Sequence, residues 1–179
     1  MQIKKIPLNF NAFVVKIKEH KDIKEKLLKL INQSQYRIIK SPRESISKTD
    51  WDFSKQIERH YVVEFTTLLR PYINKMAEEL GMNKTVLHNM WFQNYGKTDR
   101  HDWHIHEGTH WTNIYFLDLP NTKLKTEIYD PFTKKTINSI KLEEGDLFTI
   151  PAQTIHRSPK NTSAKQKTII SFNTTFSIQ

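Results

Sequence analysis

Four of the chain's eight histidines fall in one short run, His101-Asp102-Trp103-His104-Ile105-His106-Glu107-Gly108-Thr109-His110. Along an extended strand, side chains at i and i+2 share a face. An unbroken strand here would align Asp102, His104 and His106, with Trp103 and Ile105 opposite. Two imidazoles at that spacing can place two nitrogens on one ion, and imidazole suits iron, zinc, copper and nickel. The chain has no cysteine, so any metal must be held by histidine and carboxylate.

A third ligand is offered by His156. It follows Glu144-Gly145-Asp146-Leu147-Phe148-Thr149-Ile150-Pro151. The Gly-Asp pair makes a tight turn into an apolar strand. Pro151, lacking an N–H, ends that strand, and the chain returns to present His156. Two neighbouring ligands and one distant ligand leave part of a coordination sphere open. The expected metal set is therefore His104, His106 and His156. Asp102 is the alternative carboxylate on the same face, and Glu107 would reach the site only if the chain turned at Gly108. His20, His60 and His88 read as ordinary.

Positioning such a set is the task of the surrounding elements. Residues 9–17 read as a strand, rich in β-branched and aromatic residues. Residues 20–32 carry Ile23, Leu27, Leu28, Leu30 and Ile31 at amphipathic-helix spacing. Residues 33–55, polar and broken by Ser41-Pro42, read as a loop. Over 56–80, Val62, Phe65, Leu68, Leu69, Ile73 and Met76 predict a long helix, interrupted or kinked at Pro71 and capped by Gly81.

Beyond Gly81 the period changes. Eight short apolar stretches follow, at 85–95, 102–106, 111–118, 125–129, 136–141, 146–150, 154–158 and 166–176. Their density predicts a mainly β jelly roll of two facing antiparallel sheets, with the N-terminal helices packed outside (an α+β arrangement). The expected organisation is a single domain over 1–179. Residues 1–81 form its helical support region and residues 82–179 its double-stranded β-helix core.

Composition sets the class. An apolar fraction of 37% with ten Phe argues for a folded globular protein. No apolar run is long enough to span a bilayer. The first twenty residues lack the unbroken apolar core of a signal peptide, so the expected location is the cytoplasm. The formal net charge is +9, yet the lysines lie scattered along the chain. They read as a solvated face. Charge alone weakly favours an anionic primary substrate, with nucleic acid as a less favoured partner.

Six blocks in order carry a family resemblance between about 51 and 173. They are Trp91-Phe92-Gln93-Asn94-Tyr95-Gly96; His104-Ile105-His106; Thr112-Asn113-Ile114-Tyr115-Phe116-Leu117; Ile128-Tyr129-Asp130-Pro131; Glu144-Gly145-Asp146-Leu147-Phe148 with Pro151 and His156; and Lys167-Thr168-Ile169-Ile170-Ser171-Phe172-Asn173. Together they resemble the 2-oxoglutarate- and Fe(II)-dependent oxygenases of bacteria and phages. The resemblance implies that 2-oxoglutarate is oxidatively decarboxylated to succinate and CO2 while a substrate C–H bond is oxidised, usually by hydroxylation. It implies Lys167 as anchor for the far carboxylate of 2-oxoglutarate, with Ser171 on the same strand face. Tyr95, Tyr115 and Asn113 are further expected cosubstrate contacts.

This chain departs from the family pattern in three places. His106 stands where most members have Asp or Glu, which leaves an iron site more cationic. Lys167 stands where many have Arg, giving a point charge in place of a bidentate fork. Ile169 replaces a hydroxyl residue. Two other readings stay open. One is a cupin-like dioxygenase without 2-oxoglutarate, approximated by His104, His106, Gly145, Pro151, His156 and Asn161, with His110 where that motif needs Glu. The other is an inactive jelly-roll binding module.

Overall fold

A computed structural model describes residues 11–53 and 58–178. The strands are β1 (Phe13–Lys16), β2 (Arg37–Lys40), β3 (Glu44–Thr49), β4 (Lys84–Tyr95), β5 (Arg100–His104), β6 (Trp111–Asp118), β7 (Glu127–Asp130), β8 (Lys135–Ile137), β9 (Asp146–Pro151), β10 (His156–Ser158) and β11 (Lys167–Ser177). The helices are α1 (His20–Gln33) and α2 (His60–Glu79), with a 3-10 turn at Thr122–Leu124. Each of the eight strands expected after Gly81 is present, and every strand pairing is antiparallel. The expected β1 strand and second helix begin in residues that lie partly outside the described ones.

The loop expected over 33–55 is instead the hairpin β2–β3. Its strands were hidden because they bury little: of the apolar residues in this stretch, only Ile46 is fully buried, while Ile38 is exposed. The hairpin changes the architecture. Strand order runs β1-β9-β6-β11-β4-β3-β5-β10-β7-β8, one hydrogen-bonded sheet rather than the two expected. The join is β3, which pairs with β4 through Lys48↔Asn94 and Thr49↔Gln93, and with β5 through Glu44↔His101 and Ser45↔Arg100. Without β3 the path would fall into two pieces, β1-β9-β6-β11-β4 and β5-β10-β7-β8. The region 1–81 is thus partly β, not a helical support alone.

The helices cover the outer face of the first piece. Along α2, Tyr61, Phe65, Leu69, Ile73 and Met76 recur at helical spacing and are buried. They meet Leu27 and Ile31 of α1, and Met90, Phe92, Tyr115, Leu117, Ile170 and Phe172 of the sheet. Phe65 stacks on Tyr115 at 4.6 Å and meets Phe172 edge-on at 6.4 Å. Its truncation to Ala would cost about 3–5 kcal/mol, as for a buried aromatic. The α2 helix runs through Pro71 without interruption. It ends in a Schellman motif: Met82 N–H donates to Ala77 O and Gly81 N–H to Glu78 O, with Gly81 at φ +69°.

The opposite face of that same sheet builds a second core. Strand alternation puts Ile114 and Phe116 of β6, Ile169 of β11 and Tyr95 of β4 on this side, where they pack with Ile46, Ile128, Phe148 and Ile150. Gly145, at φ +84°, seats the turn before β9 directly on His20; a Cβ there would lie 2.8 Å from the ring's Cγ. Among the described residues, no helix is long and apolar enough to cross a membrane.

Candidate metal centre

Pairing of β10 with β5 sets His156 opposite His104. His106 lies just beyond β5, where its N–H donates to Ala152 O at 2.9 Å and so keeps the chain beside the turn after β9. One ligand nitrogen from each of His104, His106 and His156 lies within 4.8 Å of the others. Ring centroids are 4.3 Å apart for His104–His156, 5.2 Å for His106–His156 and 5.3 Å for His104–His106.

Each imidazole is tied down by its Nδ1. His104 Nδ1 bonds Asp102 O and His156 Nδ1 bonds Thr154 O, both at 2.8 Å. His106 Nδ1 bonds Asn173 Oδ1 at 2.9 Å, with Thr112 Oγ1 at 3.3 Å. A carbonyl can only accept, so Nδ1 carries the proton in each bond. The Nε2 lone pair is thereby freed for a metal. Burial holds these rings neutral. It pushes His106 down to about 4 and His101 down to about 3, and lowers His104 and His156 as well. A neutral imidazole is the form that ligates, so the donor set fits a borderline divalent ion such as Fe(II) or Zn(II).

Asp102 does not join the set. The pairing of β5 with β10 shifts register between His104 and His101, a β-bulge that opposes two residues of β5, Asp102 and Trp103, to Arg157 of β10. The extra residue inverts the alternation beyond His104. His101 takes the cavity face in place of Asp102, and its ring stacks on His104 at 3.9 Å and 14°. Its Nε2 lies 3.1 Å from Glu44 Oε2. Asp102 instead accepts from Trp103 N–H at 2.9 Å. Glu107 stays exposed at the cavity rim.

The histidines floor a cavity of about 310 Å³. Trp91, stacked on His106 at 5.8 Å, forms one wall, with Ile114, Ile169, Ser171 and Asn173 around it. Tyr95 and Ser158 also line the cavity, and Lys167 lies buried behind them. The Lys167 ammonium donates to Leu124 O at 2.7 Å and Ser158 Oγ at 2.8 Å, and sits 5.2 Å from the Tyr95 ring centroid. Complete burial pushes Lys167 down to about 7.

Tyr115 and Asn113 are not in this cavity. On β6, Thr112, Ile114 and Phe116 take the inner face, so Asn113 and Tyr115 project outward. Tyr115 Oη bonds His20 Nδ1 at 2.7 Å, and Asn113 spans Phe172 O, Thr174 Oγ1 and Thr149 Oγ1. Sequence reasoning missed Asn173, although its place two residues beyond Ser171 puts it on the Lys167 face. It also missed His101 and Glu44, for which the sequence carries no signal, because the bulge that brings them in is a property of the pairing. Arg157, next to His156, lies at the cavity edge, over Trp103 at 4.3 Å and paired with Glu127 at 2.7 Å.

No protein-family model matches the sequence, and no curated protein matches it. Solved structures do match in fold. A 2OG-Fe(II) oxygenase family oxidoreductase from Burkholderia pseudomallei superposes with a TM-score of 0.71 at 9% identity, over 92% of this chain and 85% of that one. The epimerase SnoN, solved with Fe3+, alpha-ketoglutarate and nogalamycin RO, gives 0.69 at 13% identity over 92% of this chain and 78% of that one. A Trichoplax adhaerens prolyl hydroxylase, bound to a hypoxia-inducible-factor peptide fragment, gives 0.66 at 13% identity over 92% and 83%. The chain therefore shares the fold of structures that include 2-oxoglutarate- and Fe(II)-dependent oxygenases.

Proposed function

We propose that this protein is a non-haem Fe(II)- and 2-oxoglutarate-dependent oxygenase, a hydroxylase by mechanism, built on a double-stranded β-helix. The observation that carries the reading is the convergence of His104, His106 and His156, each proton-locked at Nδ1, on the floor of a cavity, with Lys167 buried behind its lining residues Tyr95 and Ser158. The shared fold supports the same reading. Bound iron and 2-oxoglutarate would supply oxidative decarboxylation to succinate and CO2, coupled to oxidation of a substrate C–H bond.

The chain's own residues have separate tasks. The three imidazoles would hold the ion through their Nε2 atoms. Asn173 and the carbonyls of Asp102 and Thr154 fix ring orientation. Lys167, reached past Tyr95 and Ser158, supplies the positive charge for the far carboxylate of 2-oxoglutarate. Trp91, Ile114 and Ile169 keep bulk water from the reacting atoms. We place the protein in the cytoplasm, acting on an anionic primary substrate.

The test is anaerobic titration of the Fe(II)-loaded protein with 2-oxoglutarate, followed by oxygen and a succinate assay. A visible metal-to-ligand charge-transfer band and succinate release are expected. Iron binding with neither signal would overturn the reading in favour of a cupin-like enzyme without 2-oxoglutarate or an inactive binding module.

A further inference from the structure

Six basic residues that lie far apart in the sequence gather in space. Three segments meet at one end of the sheet: 40–45, where β2 turns into β3; 96–100, between β4 and β5; and 159–166, between β10 and β11. Arg100 donates to Pro42 O at 2.7 Å, and Ser45 pairs with Arg100. Thr98 N–H donates to Asn161 O, and Asn161 N–H to Asp99 O, both at 2.8 Å. Asn161 also donates to Tyr95 O at 2.8 Å and Lys165 O at 2.9 Å. The segments are therefore fixed against one another.

They carry Lys40, Arg43, Lys97, Arg100, Lys160 and Lys165, against two carboxylates, Glu44 and Asp99. Both carboxylates are engaged inward. Asp99 is buried and accepts from Ser45, Ser47 and the Gly96 N–H, and Glu44 faces His101. None of the six cations forms an ion pair among the described residues, and all but Arg100 are exposed. Six unneutralised cations on one rigid surface form a strong attractor for a polyanion.

Aromatic groups continue this surface. From the basic end the hairpin β2–β3 leads back to Tyr36, just before β2, and to Trp51, just after β3. There, exposed Tyr36 has the Lys48 ammonium 4.7 Å from its ring centroid. Further on, Trp51 lines the cavity, with Arg37 5.6 Å from its ring centroid and Trp91 at 6.5 Å. Cations that track a phosphate backbone, beside aromatic faces that accept unpaired bases, form the recognition pattern of single-stranded nucleic acid. An acidic polypeptide would use the charges and leave the aromatic faces idle.

We infer that this surface binds single-stranded nucleic acid, with phosphates on the basic end and bases on Tyr36 and Trp51, directing a strand towards the cavity. The inference stands on this surface and does not depend on the metal centre. The test uses the full chain and a fluorescent oligo-dT of about 20 nucleotides, read by anisotropy as salt is raised from about 50 to about 200 mM. Poly-glutamate and a duplex of equal length serve as competitors. The triple variant Lys97→Glu, Lys160→Glu, Lys165→Glu is compared with Lys21→Glu, Lys29→Glu, which reverses exposed charges on α1. The triple variant should bind at least about tenfold more weakly, and its log–log salt slope should fall by about 2. Tyr36→Ala should weaken oligo-dT binding without changing that slope. Equal losses in the triple and α1 variants would overturn the inference, as would failure of oligo-dT to bind. Competition by poly-glutamate as effective as by oligo-dT would also overturn it, and would assign the surface to acidic proteins.

Discussion

His101 and His104 present stacked rings to the same cavity, 3.9 Å apart, although an unbroken strand would send them to opposite faces. The bulge in β5 is the cause, and it also removes Asp102 from the metal face. Asp102→Asn should therefore leave Fe(II) affinity within about twofold, since its carboxylate accepts from Trp103 N–H and the supporting contact to His104 comes from the Asp102 backbone. His104→Ala, His106→Ala and His156→Ala should each lose more than the roughly 10–100-fold attached to a supporting group. Anaerobic Fe(II) or Co(II) titrations of the four variants check this. Weak binding by Asp102→Asn alone would return the carboxylate to the site.

Asn173 gives a second test, because it touches the metal only through His106. Asn173→Ala deletes the acceptor that holds the His106 proton on Nδ1. Metal affinity should fall by about 10–100-fold with all three ligands intact. Asn173→Asp keeps the acceptor and should recover most of the loss. The same titration separates the two variants, and near-UV circular dichroism reports whether the fold is retained.

The inner and outer faces of the sheet separate two tyrosines that look equivalent in sequence. Tyr95→Phe should weaken 2-oxoglutarate binding, because that side chain lines the cavity beside Lys167. Tyr115→Phe should leave cosubstrate affinity unchanged. It should instead cost about 1 kcal/mol of stability through loss of the His20 hydrogen bond. Cosubstrate titration and denaturant unfolding, run on both variants, should give opposite patterns.

Much of this site was legible from residue type and spacing. His104, His106 and His156 are brought together as the short stretches after Gly81 implied, while Lys167, which only the family resemblance pointed to, lies buried behind Tyr95 and Ser158 of the cavity wall. What was not legible depends on pairing. A bulge leaves no mark in a single strand, so Asp102 was expected where His101 stands. The parity of β6 is set by which of two apolar runs, Ile114 and Phe116 or Tyr115 and Leu117, meets the helices. Both runs are buried, so alternation could not decide between them. The hairpin β2–β3 escaped notice because its strands bury little apolar surface and are held mainly by backbone pairing.

Gly145 tests the scaffold behind His156. Its φ of +84° is costly for a residue with a Cβ, and an added methyl would lie 2.8 Å from the His20 ring. Gly145→Ala should destabilise the fold by about 2 kcal/mol, combining backbone strain with displacement of His20. Thermal and urea melts measure this. A variant as stable as the parent would show that the turn relaxes freely.

The buried ammonium of Lys167 makes a pH dependence that can be signed in advance. Burial depresses its value in the folded protein from 10.5 to about 7. Between those two values the unfolded chain holds the extra proton, so this group makes folding stability rise with pH from about 7 to 10.5 and stay flat below. Binding of 2-oxoglutarate should run the other way. Its far carboxylate needs the charged lysine, so above about pH 7 binding must draw a proton from solution, and affinity should fall with rising pH by up to about tenfold per unit. Lys167→Met should bind weakly with a flat profile across this window. Lys167→Arg should also be flat, because a guanidinium keeps its charge throughout. The measurement is anaerobic titration of the charge-transfer band at about pH 6.5 and about pH 8.5, values that bracket the folded titration. Equal affinity for the parent at both would remove Lys167 as the anchor.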